Sequence, residues 1–84
     1  VDDRGNIRST TEEDAALESA LLQQVLALHP AAVTIGELAR ELGESDDALG
    51  RAVRDLVAAG LLHRSDALVL PTRAALRFDE LLER

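Results

Sequence analysis

Three observations predict a mainly α-helical single domain carrying one small β-hairpin. Between residues 11 and 60, apolar side chains recur at helical spacing in three blocks set apart by helix-stop and helix-start signals. Between 61 and 70 that spacing gives way to two short apolar runs around a turn pair. At 84 residues, a single core buries only about 60% of the unfolded surface, which leaves no room for a second domain. The apolar 46% of the chain is almost all Leu, Ala and Val with one Phe, so the core must be assembled from small branched side chains between helices. Such a core is thin and gains from a partner surface.

Residues 1–10 are polar, lack periodicity and carry Gly5, and read as a flexible N-terminal arm ahead of a domain spanning 11–84. Thr10 with Glu13 and Thr11 with Asp14 form capping-box-like pairs, placing the start of the first helix at Thr10 or Thr11. Leu17, Ala20, Leu21, Val25 and Leu28 continue it as a stripe, which Leu22 and Leu26 broaden beyond one face. His29-Pro30 stops it. A helix apolar over more than one face packs on two neighbours, and one of these can be a second chain.

Thr34-x-x-Glu37 is a second capping-box signature, followed by Ile35, Leu38, Ala39 and Leu42 at helical spacing and by Gly43 as a left-handed stop. Ser45 then caps a third helix with the stripe Leu49, Ala52, Val53, Leu56 and Val57, ending at Gly60. A short helix, a tight glycine turn and a longer helix make a helix-turn-helix layout. LLHR and ALVL flank Ser65-Asp66 as the two strands of the hairpin. Pro71 closes the second strand, Thr72 caps a last helix, and Ala75, Phe78, Leu81 and Leu82 give that helix an apolar face.

The blocks AAVTIGELARELGES, ALGRAVRDLVAAGLLHR and ALVLPTRAALRFDELL resemble the winged-helix superfamily, and in particular bacterial MarR-type transcription regulators. In those proteins T-x-x-E-L-A-x-x-L-G leads into a recognition helix ending L-V-x-x-G-L-L-x-R. The resemblance covers roughly residues 15 to 82. It implies a winged helix-turn-helix fold, mainly α with a β-hairpin wing, and a DNA-binding regulator acting as a dimer. The chain departs from that pattern in two ways. It has no counterpart of the additional long helices through which those regulators dimerise, and its turn and recognition-helix start are acidic.

That acidity runs through the whole chain. Sixteen acids against nine bases give a net charge of -7, opposite in sign to the usual electrostatic footprint of a nucleic-acid-binding domain. Only residues 61–84 are balanced, with four of each sign, and every base is Arg. With Val53 facing inward, helical geometry at about 100° per residue directs Asp47, Ala48, Arg51, Arg54, Asp55 and Ala58 outward. Arg51 and Arg54 are then the side chains that reach bases or phosphates, Ala48 and Gly50 permit close approach, and Asp47 can accept from a cytosine amino group. The same spacing also allows a surface ion-pair ladder of Asp47, Arg51 and Asp55, worth a few tenths of a kcal/mol per pair.

Asp46 and Asp47 stabilise the first turn by about 0.3 to 1 kcal/mol each through its free amides, and so compete with phosphate for that end. Arg64 at the hairpin tip is placed either for the minor groove or for a local pair with Asp66. Arg40, opposite the stripe of the second helix, and Arg73, at the start of the last, are in position to add phosphate contacts.

For catalysis nothing converges. His63, Ser65 and Asp66 sit side by side on one hairpin, which does not create a nucleophile, base and orienter in sequence. There are no cysteines, the two histidines are far apart, and no glycine-rich phosphate loop occurs, so neither metal nor cofactor is expected. No stretch has the length of a membrane span or the apolar run of a signal peptide, giving the expectation of a cytoplasmic protein. The expected partners are DNA and a second copy. The alternative is an acidic winged-helix docking module that binds a protein through helix 1 and the C-terminal helix and repels nucleic acid.

Overall fold

The computed structural model describes residues 2–82, with side chains described from residue 12 onward. In chain order the elements are α1 (Asp2–Leu28), β1 (Val33–Thr34), α2 (Ile35–Leu42), α3 (Asp46–Ala58), β2 (Leu62–Ser65), β3 (Leu68–Pro71) and α4 (Arg73–Leu82).

The capping chemistry read from the sequence is present at α2, α3 and α4. At α2 the Thr34 hydroxyl accepts from the Glu37 amide at 3.1 Å, and the Glu37 carboxylate accepts from the Thr34 amide at 2.9 Å, a reciprocal box. Gly43 ends the helix at φ 68, a left-handed conformation that costs glycine nothing. Ser45 Oγ accepts from the Ala48 amide at 3.1 Å and starts α3. Thr72 does two jobs: its hydroxyl accepts from the Ala75 amide at 3.1 Å to cap α4 and donates to the Gly60 carbonyl at 2.7 Å. That second bond ties the start of α4 to the end of α3.

The hairpin pairs Leu62 with Pro71 through to Ser65 with Leu68, so its turn is Asp66-Ala67, one residue later than the sequence suggested. Asp66 sits at φ 55. A short polar side chain tolerates this left-handed region, so Asp66 makes the turn while Ser65 stays in the ladder. A third strand escaped the sequence reading: β1 pairs antiparallel with β3 through Val33 with Val69 and Thr34 with Leu68, giving the order β1-β3-β2. Two residues carry no detectable alternation, and β1 exists only because β3 is there to pair with it.

The core joins Leu21 and Val25 of α1, Leu38 and Ala39 of α2, and Leu49, Ala52, Val53 and Leu56 of α3 to Val33, Leu62 and Val69 of the sheet. Two expectations are corrected, the start of α1 and the burial of Val57. The backbone of α1 is helical from Asp2, upstream of the Thr10 or Thr11 start; the side chains of those two threonines lie outside the described set. The apolar face of α4 is largely uncovered, as expected of a helix whose leucines read as available to a neighbour. Ala75 is buried, but Phe78 is 59% and Leu82 68% exposed, because α4 meets α1 only at its inner edge. Val57, placed in the α3 stripe, is likewise exposed.

Candidate nucleic-acid interface

Four core residues, Leu49, Ala52, Val53 and Leu56, fix the roll of α3 about its axis. The remaining positions emerge as helical geometry requires: Asp47, Arg51, Arg54, Asp55 and Ala58 are exposed, and Ala48 is half-buried toward α1. Among the described residues the one ion pair is Arg77 with Glu80 at 3.3 Å on α4. The Asp47-Arg51-Asp55 ladder is therefore open, as expected of exposed pairs whose attraction barely offsets side-chain entropy. Among the described residues, no carboxylate is in ion-pair contact with Arg51 or Arg54.

Their surroundings are nonetheless acidic, from a source the sequence reading did not identify. A cleft of about 130 Å³ between α1 and α3 is lined by Asp14 and Glu18 on one side and by Arg51, Arg54 and Asp55 on the other. Glu18 is held above the usual carboxylate range, first by its partial burial against α3, then by its hydrogen-bonding contact with and the charge of Asp55, and last by Asp14. The acids that share this cleft with Arg51 and Arg54 thus include two from α1. No local signal marks them, since only the packing of α1 on α3 brings positions 14 and 18 to positions 51 to 55.

At the first turn of α3, Asp46 and Asp47 are exposed, and the Ser45 hydroxyl takes the Ala48 amide. In the wing, Arg64 is exposed and its Nε donates to the main-chain carbonyl of Asp66 at 3.0 Å. The local partner of Arg64 is thus that carbonyl, whereas the sequence had suggested the carboxylate. Arg40 lies exposed in the last turn of α2, and Arg73 exposed in the first turn of α4. His63, Ser65 and Asp66 are all exposed along the hairpin. Among the described residues no three His, Cys, Asp or Glu side chains converge as metal ligands, and no helix is long and apolar enough to cross a membrane.

Three helices, a hairpin that follows the third, a short strand completing the sheet and a final helix define a winged helix-turn-helix protein. The chain belongs to the MarR family of transcription regulators, whose family model matches residues 19–68. Among solved structures it is similar to HmgR of Pseudomonas aeruginosa, with a TM-score of 0.72 at 23% identity. That match takes in 84% of this chain and 31% of the HmgR chain, so the segment spans less than a third of that protein's length. A comparison with curated proteins finds no match.

Proposed function

We propose that this segment is the DNA-reading part of a MarR-type transcription regulator. In this reading α3 enters the major groove, with Arg51 and Arg54 on base edges or phosphates and Asp47 available to a cytosine amino group, while Arg64 carries the wing to the minor groove or backbone. Arg40 contributes a phosphate contact from α2. The observation that carries the reading is the exposed face of α3, where the core fixes the helix roll and both arginines project without an ion pair among the described residues. The regulator acts as a dimer through α1 and α4, whose facing apolar side chains remain uncovered in the single chain.

Two observations favour a second reading, a protein-docking module. The net charge of -7 and the α1 carboxylates beside Arg51 and Arg54 oppose a phosphate backbone. Duplex binding by variants separates the two. Arg51→Ala and Arg54→Ala remove exposed groups, so both keep the fold by circular dichroism. In the DNA reading, loss of a base contact costs about 1 to 3 kcal/mol at one position of the site, and loss of a phosphate contact weakens all sequences alike. Unchanged affinity in both variants sinks the proposed α3 interface.

A further inference from the structure

The wing turn contains a contact that an exposed arginine does not need for stability. Arg64 stands on β2 opposite Val69, two residues before Asp66, and its Nε donates to the Asp66 carbonyl at 3.0 Å. That carbonyl comes within reach because Asp66 turns the chain in the left-handed region, at φ 55, immediately after the last ladder pair, Ser65 with Leu68. Among the described residues no other group engages the Arg64 side chain.

A guanidinium has five N–H donors in one rigid plane. Fixing the donor on Nε orients the plane and leaves the four donors on Nη1 and Nη2 free, which is the arrangement that grips phosphate oxygens in pairs. The bond also removes part of the rotamer freedom that Arg64 would otherwise lose on binding. Lysine lacks this division of labour, because one nitrogen would have to serve both the carbonyl and the phosphate.

We propose that Asp66 is a positioning residue for Arg64: its left-handed turn aims a main-chain carbonyl at Nε and presents the rest of the guanidinium to a nucleic-acid phosphate. The proposal rests on the DNA-binding reading for the ligand, but not for the positioning. The side chain at position 66 matters through the conformation it permits. Asn and Gly accept the left-handed region, whereas a β-branched residue strongly disfavours it. Asp66→Asn therefore keeps the device and deletes a carboxylate near the phosphate, and Asp66→Val dismantles it.

The test pairs two readouts on the 84-residue chain. Exchange of the Arg64 Nε–H is followed by nitrogen-resolved NMR in the free protein at mildly acidic pH, and affinity for a random-sequence duplex pool is measured at low salt. The parent and Asp66→Asn should show slowed Arg64 Nε–H exchange relative to Arg73, and Asp66→Asn should bind at least as tightly as the parent. Asp66→Val and Arg64→Lys should each lose about fivefold in affinity, the worth of one ordinary hydrogen bond. Asp66→Val should lose the exchange protection as well, and should cost nothing further in an Arg64→Ala background. Nε–H exchange in the parent as fast as that of Arg73 overturns the proposal without recourse to any variant. So does an Asp66→Val loss of equal size in the Arg64→Ala background, since that would be damage to the turn alone. If the parent shows the protection, Asp66→Val abolishes it and no protein binds DNA, the positioning stands and the DNA reading falls.

Discussion

At position 18 a carboxyl group of α1 faces Asp55 of α3, and the pair sits beside Arg51 and Arg54, the arginines proposed to contact DNA. The charged groups lining that cleft are Asp14 and Glu18 from α1 and Arg51, Arg54 and Asp55 from α3. Burial and Asp55 raise the Glu18 carboxyl above its ordinary 4.5, so the folded protein binds this proton more tightly than the unfolded chain. Stability from Glu18 is therefore gained as pH falls through its raised value toward 4.5 and lost again as pH rises. Glu37 works in the opposite sense, because the Thr34 amide and then its hydroxyl hold that carboxylate below 4.5. Its contribution is present above 4.5 and disappears as pH drops through the lowered folded value. Urea unfolding of Glu18→Gln across mildly acidic to neutral pH should show a flatter profile than the parent, with the variant more stable at neutral pH. A parallel profile would remove the cleft from the account. Asp46→Asn with Asp47→Asn keeps capping-competent side chains and removes two charges near the phosphates, so duplex affinity should rise, most strongly at low salt.

Among the elements, β1 and α2 share Thr34, which closes the strand pair with Leu68 and caps the helix that follows. Thr34→Ala removes the hydroxyl half of the capping box and should lower stability by about 0.5 to 2 kcal/mol in urea unfolding; a change within error would mean that this half contributes nothing. Gly43→Ala forces a Cβ into φ 68 and should cost about 1 kcal/mol, although the added methyl meets no neighbour. These elements were legible in the sequence because caps, left-handed stops and helical stripes are local: Thr34, Glu37, Gly43 and Ser45 each act within four residues. The hairpin was legible to within one residue, since Ser65 and Asp66 are both turn-compatible and only the pairing of Ser65 with Leu68 decides between them. The strand β1, the α1 carboxylates beside α3 and the exposure of Val57 were not legible. Each depends on which distant element packs where. The outward direction of Arg51 and Arg54 was readable from periodicity alone, whereas the openness of their ion-pair ladder was not, because the competing energies are too small for spacing to decide.

At the scale of the whole molecule, two surfaces remain to be matched to partners. A groove of about 480 Å³ between α1 and α4 is lined by Leu22, Leu26, Phe78 and Leu82, and these apolar groups are costly to leave in water on so small a chain. If two copies bury this groove, sedimentation at micromolar concentration should give twice the 9.0 kDa chain mass, and Phe78→Ser should return the species to a single copy. A 9.0 kDa species in the parent would assign the groove to another protein or to a further part of a longer chain. The second surface is the arginine face of α3 and the wing, set in a chain whose net charge is -7. Long-range repulsion from that charge is screened over about 10 Å at 0.1 M salt, while direct phosphate contacts release counterions and give a log-log salt slope of about -0.9 per phosphate neutralised. The salt dependence of duplex binding therefore separates specific arginine contacts from the overall charge. The measurement is the affinity of the 84-residue chain for a random-sequence duplex pool across a salt series, beside that of Arg51→Ala and Arg54→Ala. The account predicts measurable binding with a negative salt slope that becomes shallower by about one in each variant that loses a phosphate contact; no retention of the chain at any salt, with the fold intact by circular dichroism, would contradict it.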